Sequence, residues 1–265
     1  MKEISLNELK RLQLQILTAV DNFCRSSNIK YSLAFGTLLG AVRHKGYIPW
    51  DDDIDVMMPR DDYEYFMKTF RHPRYFTLTY QKEPKFVLPY GKVIDNDTIL
   101  IEDSSMKYPI GVNIDVFPID TGPERDNENF WFKKKLLIDT IYTIRKLRID
   151  SERSATKNLI VVLTKILTFP LSLRRLCCTI QKEATRFNDQ LYPERKGVLS
   201  TGDTKLRWLM PADIFKEYTD ITFEDNLYRS IKNTDVYLTA TYGDYMQFPP
   251  KEKRIAHHGF KAYWK

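Results

Sequence analysis

The sequence predicts a mixed α/β (α+β) protein, in which a sheet is flanked by helices and interrupted by a helical insertion. Residues 31–42 run from β-type side chains through a glycine into a helical pattern. Residues 53–58 alternate between acidic and apolar side chains, as in a strand. Residues 127–192 show helical periodicity without strand signals. Both periods along one chain of 265 residues indicate strands and helices that pack around a common core.

Composition limits the classes to which the protein can belong. With 43% hydrophobic and 13% aromatic residues, the chain can bury a substantial core. Its net charge of +6 favours anionic partners such as nucleotides, phosphorylated glycans or acidic lipids. The 3 cysteines show no CxxC spacing, and the N-terminus lacks the apolar stretch of a signal peptide. We therefore expect a reduced, cytoplasmic protein without a structural zinc site.

A long amphipathic helix is predicted at the start of the chain. Ser5 and Glu8 form a capping box, and leucine, isoleucine and valine then recur at helical spacing. Residues 31–35, YSLAF, are predicted to form a short strand. This strand leads into a turn at Gly36 and Thr37, after which LLGAV begins the second helix.

The second strand is predicted over DIDVMM, residues 53–58. Gly46 and Pro49 break the chain before it, and Pro59 ends it. A third helix is expected over DDYEYFMKTF. Further strand-like segments follow in the order FTLTY, FVLPYGKVI, TILI and VNIDVF. Residues 1–126 are therefore predicted to form the first part of the core.

Residues 127–192 are predicted to form the helical insertion. The segment NLIVVLTKILTFPLSLRRL, residues 158–176, is the most apolar part. Lys165 and Pro170 interrupt it, so it is too short and too charged to span a bilayer, which needs about 20 apolar residues. The preferred interpretation is a buried insertion. The alternative is an amphipathic surface that gives the protein peripheral contact with the inner face of the cell membrane.

Residues 193–265 return to mixed signals and are expected to complete the core. The segment ITFEDNLY is predicted to be one strand. The segment VYLTATYGDYMQFPP is predicted to be a helix that stops near Gly243 and the Pro249-Pro250 pair.

The run IPWDDDIDVMMP, residues 48–59, is the strongest indication of a functional site. Carboxylates this close repel one another and lose hydration beside apolar neighbours, so a compensating cation is expected. On a strand, Asp53 and Asp55 would project from one face, about 6.6 Å apart. Oxygen ligands of this kind suit Mg²⁺ or Mn²⁺. A solvated acidic loop is the alternative interpretation.

A third acid, Asp115, lies in the middle of the strand-like segment GVNIDVFPID. If this strand adjoins residues 53–58, Asp115 joins Asp53 and Asp55 in a set of three acids. Two-metal phosphoryl transfer requires such a set, because the cations must hold both the attacking and the leaving oxygen. Taken alone, Asp115 could equally be a salt-bridged strand residue.

Groups that can bind phosphate lie between these acids and the N-terminal helix. Gly36 and Thr37 offer backbone N–H groups and a hydroxyl at the start of a helix, where phosphate binds readily. Arg43, His44 and Lys45 add positive charge. For these last residues, an ordinary solvated basic cluster is the alternative.

Three segments of the chain resemble the signature segments of the LicD family. They are FGTLLGAVRHKGYIPWDDDIDVMMPRDDYEYF, GVNIDVFPID and YGDYMQFPP. The resemblance implies a nucleotidyltransferase-type fold, with residues 1–126 as the catalytic core and residues 193–265 completing it. It also implies an enzyme that transfers phosphocholine from CDP-choline to a sugar hydroxyl, with release of CMP. The implied acceptor is a lipid-linked or polymeric glycan of the teichoic acid, lipopolysaccharide or capsule type.

The resemblance also implies roles for individual residues. Asp53 and Asp55 match the metal-binding acid pair of the family, and Gly36-Thr37 matches its phosphate-side turn. Asp115 matches the later strand acid, to which we assign metal binding and deprotonation of the acceptor hydroxyl.

Other site residues are predicted from their position in the sequence. Lys92 in YGKVID is a candidate contact for the phosphate or the leaving group, or else a surface lysine. His257 and His258 follow YGDYMQFPP and could close the site, although exposed histidines near a C-terminus are often inert. Tyr47 and Trp50 are the aromatic residues closest to the acids, where they could hold the quaternary ammonium of choline.

Two alternatives for the function stay open. An enzyme of the same fold could transfer ribitol phosphate, as fukutin-related proteins that share the domain do, or a nucleoside monophosphate. A noncatalytic protein could instead use its basic surface to bind nucleic acid or acidic lipid. Basic residues interleaved with exposed aromatic residues along strands would indicate nucleic acid, and that pattern is missing. No nucleic-acid partner is therefore expected.

Overall fold

The computed structural model describes residues 1–102, 108, 110–151, 153–254 and 260–265. Its helices are α1 (Leu6–Ser26), α2 (Phe35–His44), α3 (Arg60–Thr69), α4 (Arg125–Lys146), α5 (Ala155–Leu167), α6 (Leu173–Ala184) and α7 (Thr234–Tyr242). Its strands are β1 (Ser32–Leu33), β2 (Asp55–Pro59), β3 (Tyr75–Leu78), β4 (Gly91–Asp95), β5 (Thr98–Glu102), β6 (Asn113–Thr121), β7 (Arg195–Val198), β8 (Met210–Pro211), β9 (Tyr218–Phe223), β10 (Asn226–Ile231) and β11 (Phe260–Trp264). The predicted mixed α/β class is confirmed.

The central sheet places β2 beside β6. Its strand order is β1-β2-β6-β4-β3, and β7 extends the sheet by pairing with β6 and β8. Strands β2 and β6 run parallel, whereas the other neighbours are antiparallel. In the parallel pair, Asp55 lies opposite Asp115. The expectation that Asp115 lies on a strand next to the acidic strand is therefore confirmed.

Helix α1 forms as its sequence predicts. The Ser5 hydroxyl accepts a hydrogen bond from the Glu8 backbone N–H at 3.3 Å and so caps the helix. The buried side chains of α1 recur at helical spacing and join the main apolar core with residues from β2, β4 and β6. Helices α1 and α3 both pack on the sheet, which fixes the strands that carry the acids.

Two predicted elements near the acids differ in the structure. Gly36 and Thr37 are not a turn, because α2 already begins at Phe35. The left-handed backbone at this point belongs to Phe35, whose φ is 42° and whose ring packs against Phe117 and Trp208. This aromatic packing holds a conformation that the sequence pattern would have given to the glycine.

The second strand is also shorter than predicted, since β2 begins at Asp55 and leaves Asp53 in the preceding loop. The neighbouring strand β1 pairs only with Val56 and Met57. The backbone N–H of Asp115 donates a hydrogen bond to the carbonyl of Ile54. Among the described residues, the pairing of β2 with β6 does not continue before this bond. The alternation of a strand therefore does not decide where the Asp53 side chain points.

Two further segments were predicted with the wrong extent. ITFEDNLY is not one strand but the turn region of the β9–β10 hairpin, in which Glu224 adopts a φ of 52°. In FVLPYGKVI, only residues from Gly91 onward form a strand, because Pro89 has no N–H for a sheet ladder. The predicted end of the helix at Gly243 is confirmed, where α7 stops and φ is 74°.

The predicted helical segment at residues 127–192 corresponds to α4, α5 and α6, and its role as a separate insertion stays a prediction. Helices α4 and α6 bury side chains in two smaller apolar clusters. Helix α5 contradicts the preferred interpretation of a buried insertion, because Val161 is the one buried residue that it contributes within the described chain. No helix among the described residues is long and apolar enough to cross a bilayer.

Candidate active site

The register of three neighbouring strands brings two acids and one lysine of the site together. Asp55 on β2 lies opposite Asp115 on β6, and Asp115 lies opposite Lys92 on β4. Side chains at paired positions project from the same face of a sheet. Thr37 supports this arrangement from α2, because its hydroxyl accepts a hydrogen bond from the Asp55 backbone N–H at 2.8 Å.

Asp55 is the acid whose environment disfavours negative charge most clearly. Burial raises the pKa of Asp55 well above its ordinary value of 3.8, and the charges of Asp53, Asp115 and Asp51 raise it further. The ammonium of Lys92 acts in the opposite direction but does not offset these effects. An added cation would therefore favour the ionised form of Asp55.

A second acidic group lies directly before β2. Asp51, Asp52 and Asp53 each offer a carboxylate oxygen, and the three oxygens lie within 4.8 Å of one another. Asp51 also explains the glycine at position 36. A Cβ atom at that position would lie 2.7 Å from Asp51 Oδ2, so a side chain there would displace the carboxylate.

Asp115 and Lys92 form an ion pair. Lys92 Nζ donates a hydrogen bond to Asp115 Oδ1 and another to Asn113 Oδ1, the latter at 2.9 Å. The side chains of Lys92 and Asp115 are 12% and 17% exposed. Asp115 is thus a salt-bridged strand residue, as one of the two interpretations of the sequence predicted. Its roles in metal binding and as a base stay predictions, as does the contact of Lys92 with phosphate.

A cavity of about 1090 Å³ opens beside the acids. Of the residues predicted for the site, those on its wall are Gly36, Arg43, Trp50, Asp53 and Asp55. Asp51, Tyr242, Phe248 and Arg254 also line the cavity and were not predicted. Asp51 belongs to the acidic run of residues 48–59, and Tyr242 and Phe248 belong to YGDYMQFPP. These three residues could therefore have been predicted from segments that the sequence already marked. The cavity thus combines carboxylates, aromatic rings and guanidinium groups.

Two arginines meet at one aromatic ring of the cavity. The guanidinium carbons of Arg43 and Arg254 lie 4.8 and 5.3 Å from the Phe248 ring centroid. Arg43 Nη1 donates to the Tyr245 carbonyl at 2.7 Å, and Arg254 also lies 5.6 Å from the Trp50 ring centroid. These contacts hold two positive charges on the wall that also carries the acids.

The remaining predicted residues lie around the cavity rather than on its wall. His44 Nε2 accepts a hydrogen bond from Arg43 Nε at 3.0 Å, and burial lowers the pKa of His44. Lys45 ends α2 with a left-handed φ of 63°. Tyr47 donates to Gln13 Oε1 at 3.0 Å, and the Lys10 ammonium already lies over its ring at 4.6 Å. Their roles in binding substrate stay predictions. The predicted residues His257 and His258 lie outside the described residues.

Comparison with known proteins identifies the family. Residues 28–143 match the family described as LicD/FKTN/FKRP, nucleotidyltransferase domain. The chain is 30% identical to the lipopolysaccharide cholinephosphotransferase LicD of Haemophilus influenzae, and the match covers 99% of each protein. It therefore includes the segment of α4–α6, for which no signature is evident in the sequence.

Shorter matches occur with two uncharacterized proteins. One from Rickettsia typhi is 38% identical over 81 residues, which are 30% of this chain and 26% of that protein. One from Rickettsia prowazekii is 44% identical over 61 residues, which are 23% of this chain and 20% of that protein. The similarity along its full length shows that the chain belongs to the LicD family and that it is a phosphotransferase.

Proposed function

We propose that this enzyme transfers phosphocholine from CDP-choline to a sugar hydroxyl of a lipopolysaccharide-type glycan and releases CMP. The observation that carries the proposal is that Asp53 and Asp55 line the same cavity as Arg43 and Arg254. The full-length relative is named for phosphocholine transfer to lipopolysaccharide. Teichoic acid and capsule, which the sequence also left open as acceptors, have no such support.

The acids suit a divalent cation. Asp53 and Asp55 would hold Mg²⁺ or Mn²⁺ with Asp115, and Asp51 is close enough to Asp53 to take part. Hard carboxylate oxygens are the ligands that these cations prefer. A bound cation would supply positive charge to the diphosphate of the donor.

The two arginines suit the phosphates of the donor. Arg43 and Arg254 present planar guanidinium groups, which bind phosphate oxygens in pairs. Because both are held against Phe248, the ring orients them before the donor arrives. Trp50 and Tyr242 leave aromatic surface in the same cavity for the choline methyl groups or the cytosine ring.

The transfer itself requires a base near the acceptor hydroxyl. The acceptor oxygen attacks the phosphorus that carries choline, and the bond from that phosphorus to the CMP oxygen breaks. The hydroxyl proton passes to Asp115, which is partly exposed beside Asp55. Lys92 lies against Asp115 and would hold its carboxylate in position.

Product analysis tests this proposal. The purified enzyme is incubated with a lipopolysaccharide oligosaccharide, Mg²⁺ and either CDP-choline, CDP-ribitol or CTP, and the products are identified by mass spectrometry. We expect CMP and a phosphocholine-bearing oligosaccharide from CDP-choline only. A ribitol phosphate or CMP adduct on the oligosaccharide would replace the proposed donor, and no product with any donor would overturn the proposal. The Asp55→Asn protein serves as the inactive control.

A further inference from the structure

Helix α5 turns an apolar face away from the body of the protein. In a helix of a globular protein, the apolar face normally points to the core. Beyond its first turn, the exposed side chains of α5 are instead apolar, and each is at least 47% exposed. They are Leu159, Ile160, Leu163, Ile166 and Leu167, followed by Phe169 after the helix end. We call these residues the α5 outer face.

The spacing of these residues makes the outer face continuous. Within the helix they fall at positions i, i+1, i+4, i+7 and i+8, which share one side of an α-helix. Leu167 and Phe169 are the most exposed, at 80% and 82%. Apolar patches of this kind on soluble proteins mark contact sites for other molecules or for membranes.

Polar contacts fix this orientation of the helix. Asn158 donates to the Asp150 carbonyl at 2.7 Å, and Lys165 Nζ donates to the Leu147 carbonyl at 2.6 Å. Arg145 Nη1, at the end of α4, donates to the Thr168 carbonyl at 2.9 Å and thereby caps the C-terminus of α5. The side of α5 that faces the protein is thus held by hydrogen bonds, with Val161 as its buried apolar contact.

The charge of the surrounding segment favours an anionic partner. Residues 145–175 contain two acids, Asp150 and Glu152. Their eight basic residues are Arg145, Lys146, Arg148, Arg153, Lys157, Lys165, Arg174 and Arg175. Eight positive charges less two negative ones equal the net charge of the whole chain, +6, so the remaining residues are balanced. The excess positive charge is therefore concentrated in the segment of the chain that carries the α5 outer face.

We propose that the α5 outer face docks on an anionic lipid bilayer. Its apolar side chains would enter the boundary between head groups and acyl chains, while Lys157, Arg174 and Arg175 contact anionic head groups. A protein partner or a second copy of the chain would also bury apolar side chains, but a second copy would bring two basic segments together. This inference goes beyond the proposed function and holds whichever group the enzyme transfers.

Vesicle flotation with the full chain tests the proposal. The vesicles contain either phosphatidylethanolamine with phosphatidylglycerol, or phosphatidylcholine alone. We expect binding to the anionic vesicles at low salt, and loss of most of it when salt is raised to about 1 M, where the screening length is about 3 Å. Failure to bind anionic vesicles at low salt, or equal binding to both lipids at both salt concentrations, would overturn the proposal.

Two variants separate the apolar from the electrostatic contribution. Ile166→Ser with Leu167→Ser removes apolar surface that is already exposed, so the fold should be kept while vesicle binding falls about tenfold or more. Arg174→Gln with Arg175→Gln should also lower binding about tenfold and weaken its salt dependence. The matched control is Leu191→Ser, which removes a side chain that is 88% exposed elsewhere and should bind as the wild type does.

Sedimentation velocity without lipid tests whether a second copy of the chain covers the α5 outer face instead. A wild-type dimer that becomes a monomer in the Ile166→Ser/Leu167→Ser protein would assign the face to a second copy and overturn the proposal. Transfer to a water-soluble oligosaccharide is measured in parallel and should be the same in this variant and the wild type. Loss of vesicle binding with full transfer thus separates this inference from the proposed function.

Discussion

Asp115 accepts a hydrogen bond from Lys92 on one side and lies in register with Asp55 on the other. The three side chains form a row across β4, β6 and β2, in which one ammonium group is followed by two neighbouring carboxyl groups. Lys92 partly compensates the acids but leaves Asp55 with a raised pKa. This row explains why the buried end of the site needs further positive charge. Its two acids, Asp55 and Asp115, can be tested separately.

Asp55→Asn should raise the stability of the metal-free protein at neutral pH. The pKa of Asp55 is raised in the folded state, so the folded protein binds this proton more tightly than the unfolded chain does. The stability gained from that proton is complete below the ordinary pKa of 3.8 and is lost as pH rises through the folded-state pKa. Asparagine keeps the shape without the charge. We therefore expect the variant to have the higher melting temperature in EDTA at pH 7, and the difference to shrink toward pH 4.

Mg²⁺ should reverse this order. It should raise the melting temperature of the wild type but not that of Asp55→Asn, which in turn should have no measurable turnover. Asp61→Asn is the matched control, because Asp61 is an exposed acid on α3 and should behave as the wild type does. Near wild-type activity of Asp55→Asn would remove the metal hypothesis.

Asp115→Asn should impair the chemical step more than donor binding. The substitution removes the charge and the basicity of the side chain, and a lost general base typically costs about a hundredfold to ten-thousandfold in rate. We expect calorimetry to detect binding of CDP-choline with Mg²⁺, while turnover falls at least about a hundredfold. If binding is lost together with turnover, Asp115 acts chiefly as a metal ligand and another residue is the base.

Arg254→Gln should weaken donor binding, which would appear mainly in KM. A hydrogen bond to a charged group contributes about 1.5–3 kcal/mol, so a loss of about tenfold to a hundredfold in donor affinity is expected. Arg254→Lys should recover little, because an ammonium group cannot stack on Phe248 and pair with two oxygens. Lys251→Gln removes a nearby exposed charge and provides the control. Equal kinetics of all three variants would exclude Arg254 from the donor site.

Lys135→Met should destabilise the fold strongly. Lys135 is fully buried on α4 and donates to both carboxylate oxygens of Asp139, at 2.6 and 2.7 Å, and to Thr204 at 2.8 Å. Removing the lysine leaves a buried carboxylate without its cation, which typically costs about 3–5 kcal/mol.

Urea unfolding measures this cost, and a double variant checks its cause. Lys135→Met with Asp139→Leu removes both charges and should recover much of the lost stability, because an apolar pair of similar volume is often as stable as a buried ion pair. If the double variant is less stable than Lys135→Met, the loss comes from packing rather than from the unpaired charge.

The sequence was informative wherever a local pattern suffices. Helix α1 follows from its cap and its 3.6-residue period, and the end of α7 follows from Gly243. The β9–β10 hairpin was missed because its turn, at Glu224 and Asp225, lacks the glycine or asparagine that marks a tight turn. Phe35 was missed for the related reason that its left-handed backbone is held by aromatic contacts from distant residues.

The sequence by itself determined the mixed fold class, the acidic run before β2 and the membership in the LicD family, because periodicity and signature segments are local properties of the chain. The tertiary structure decided that Asp55 lies opposite Asp115 and that Asp115 pairs with Lys92, since strand order and register are set by packing across the sheet. It also decided that the apolar side of α5 faces outward. A helical period indicates which residues share a face, whereas the position of neighbouring elements determines whether that face is covered.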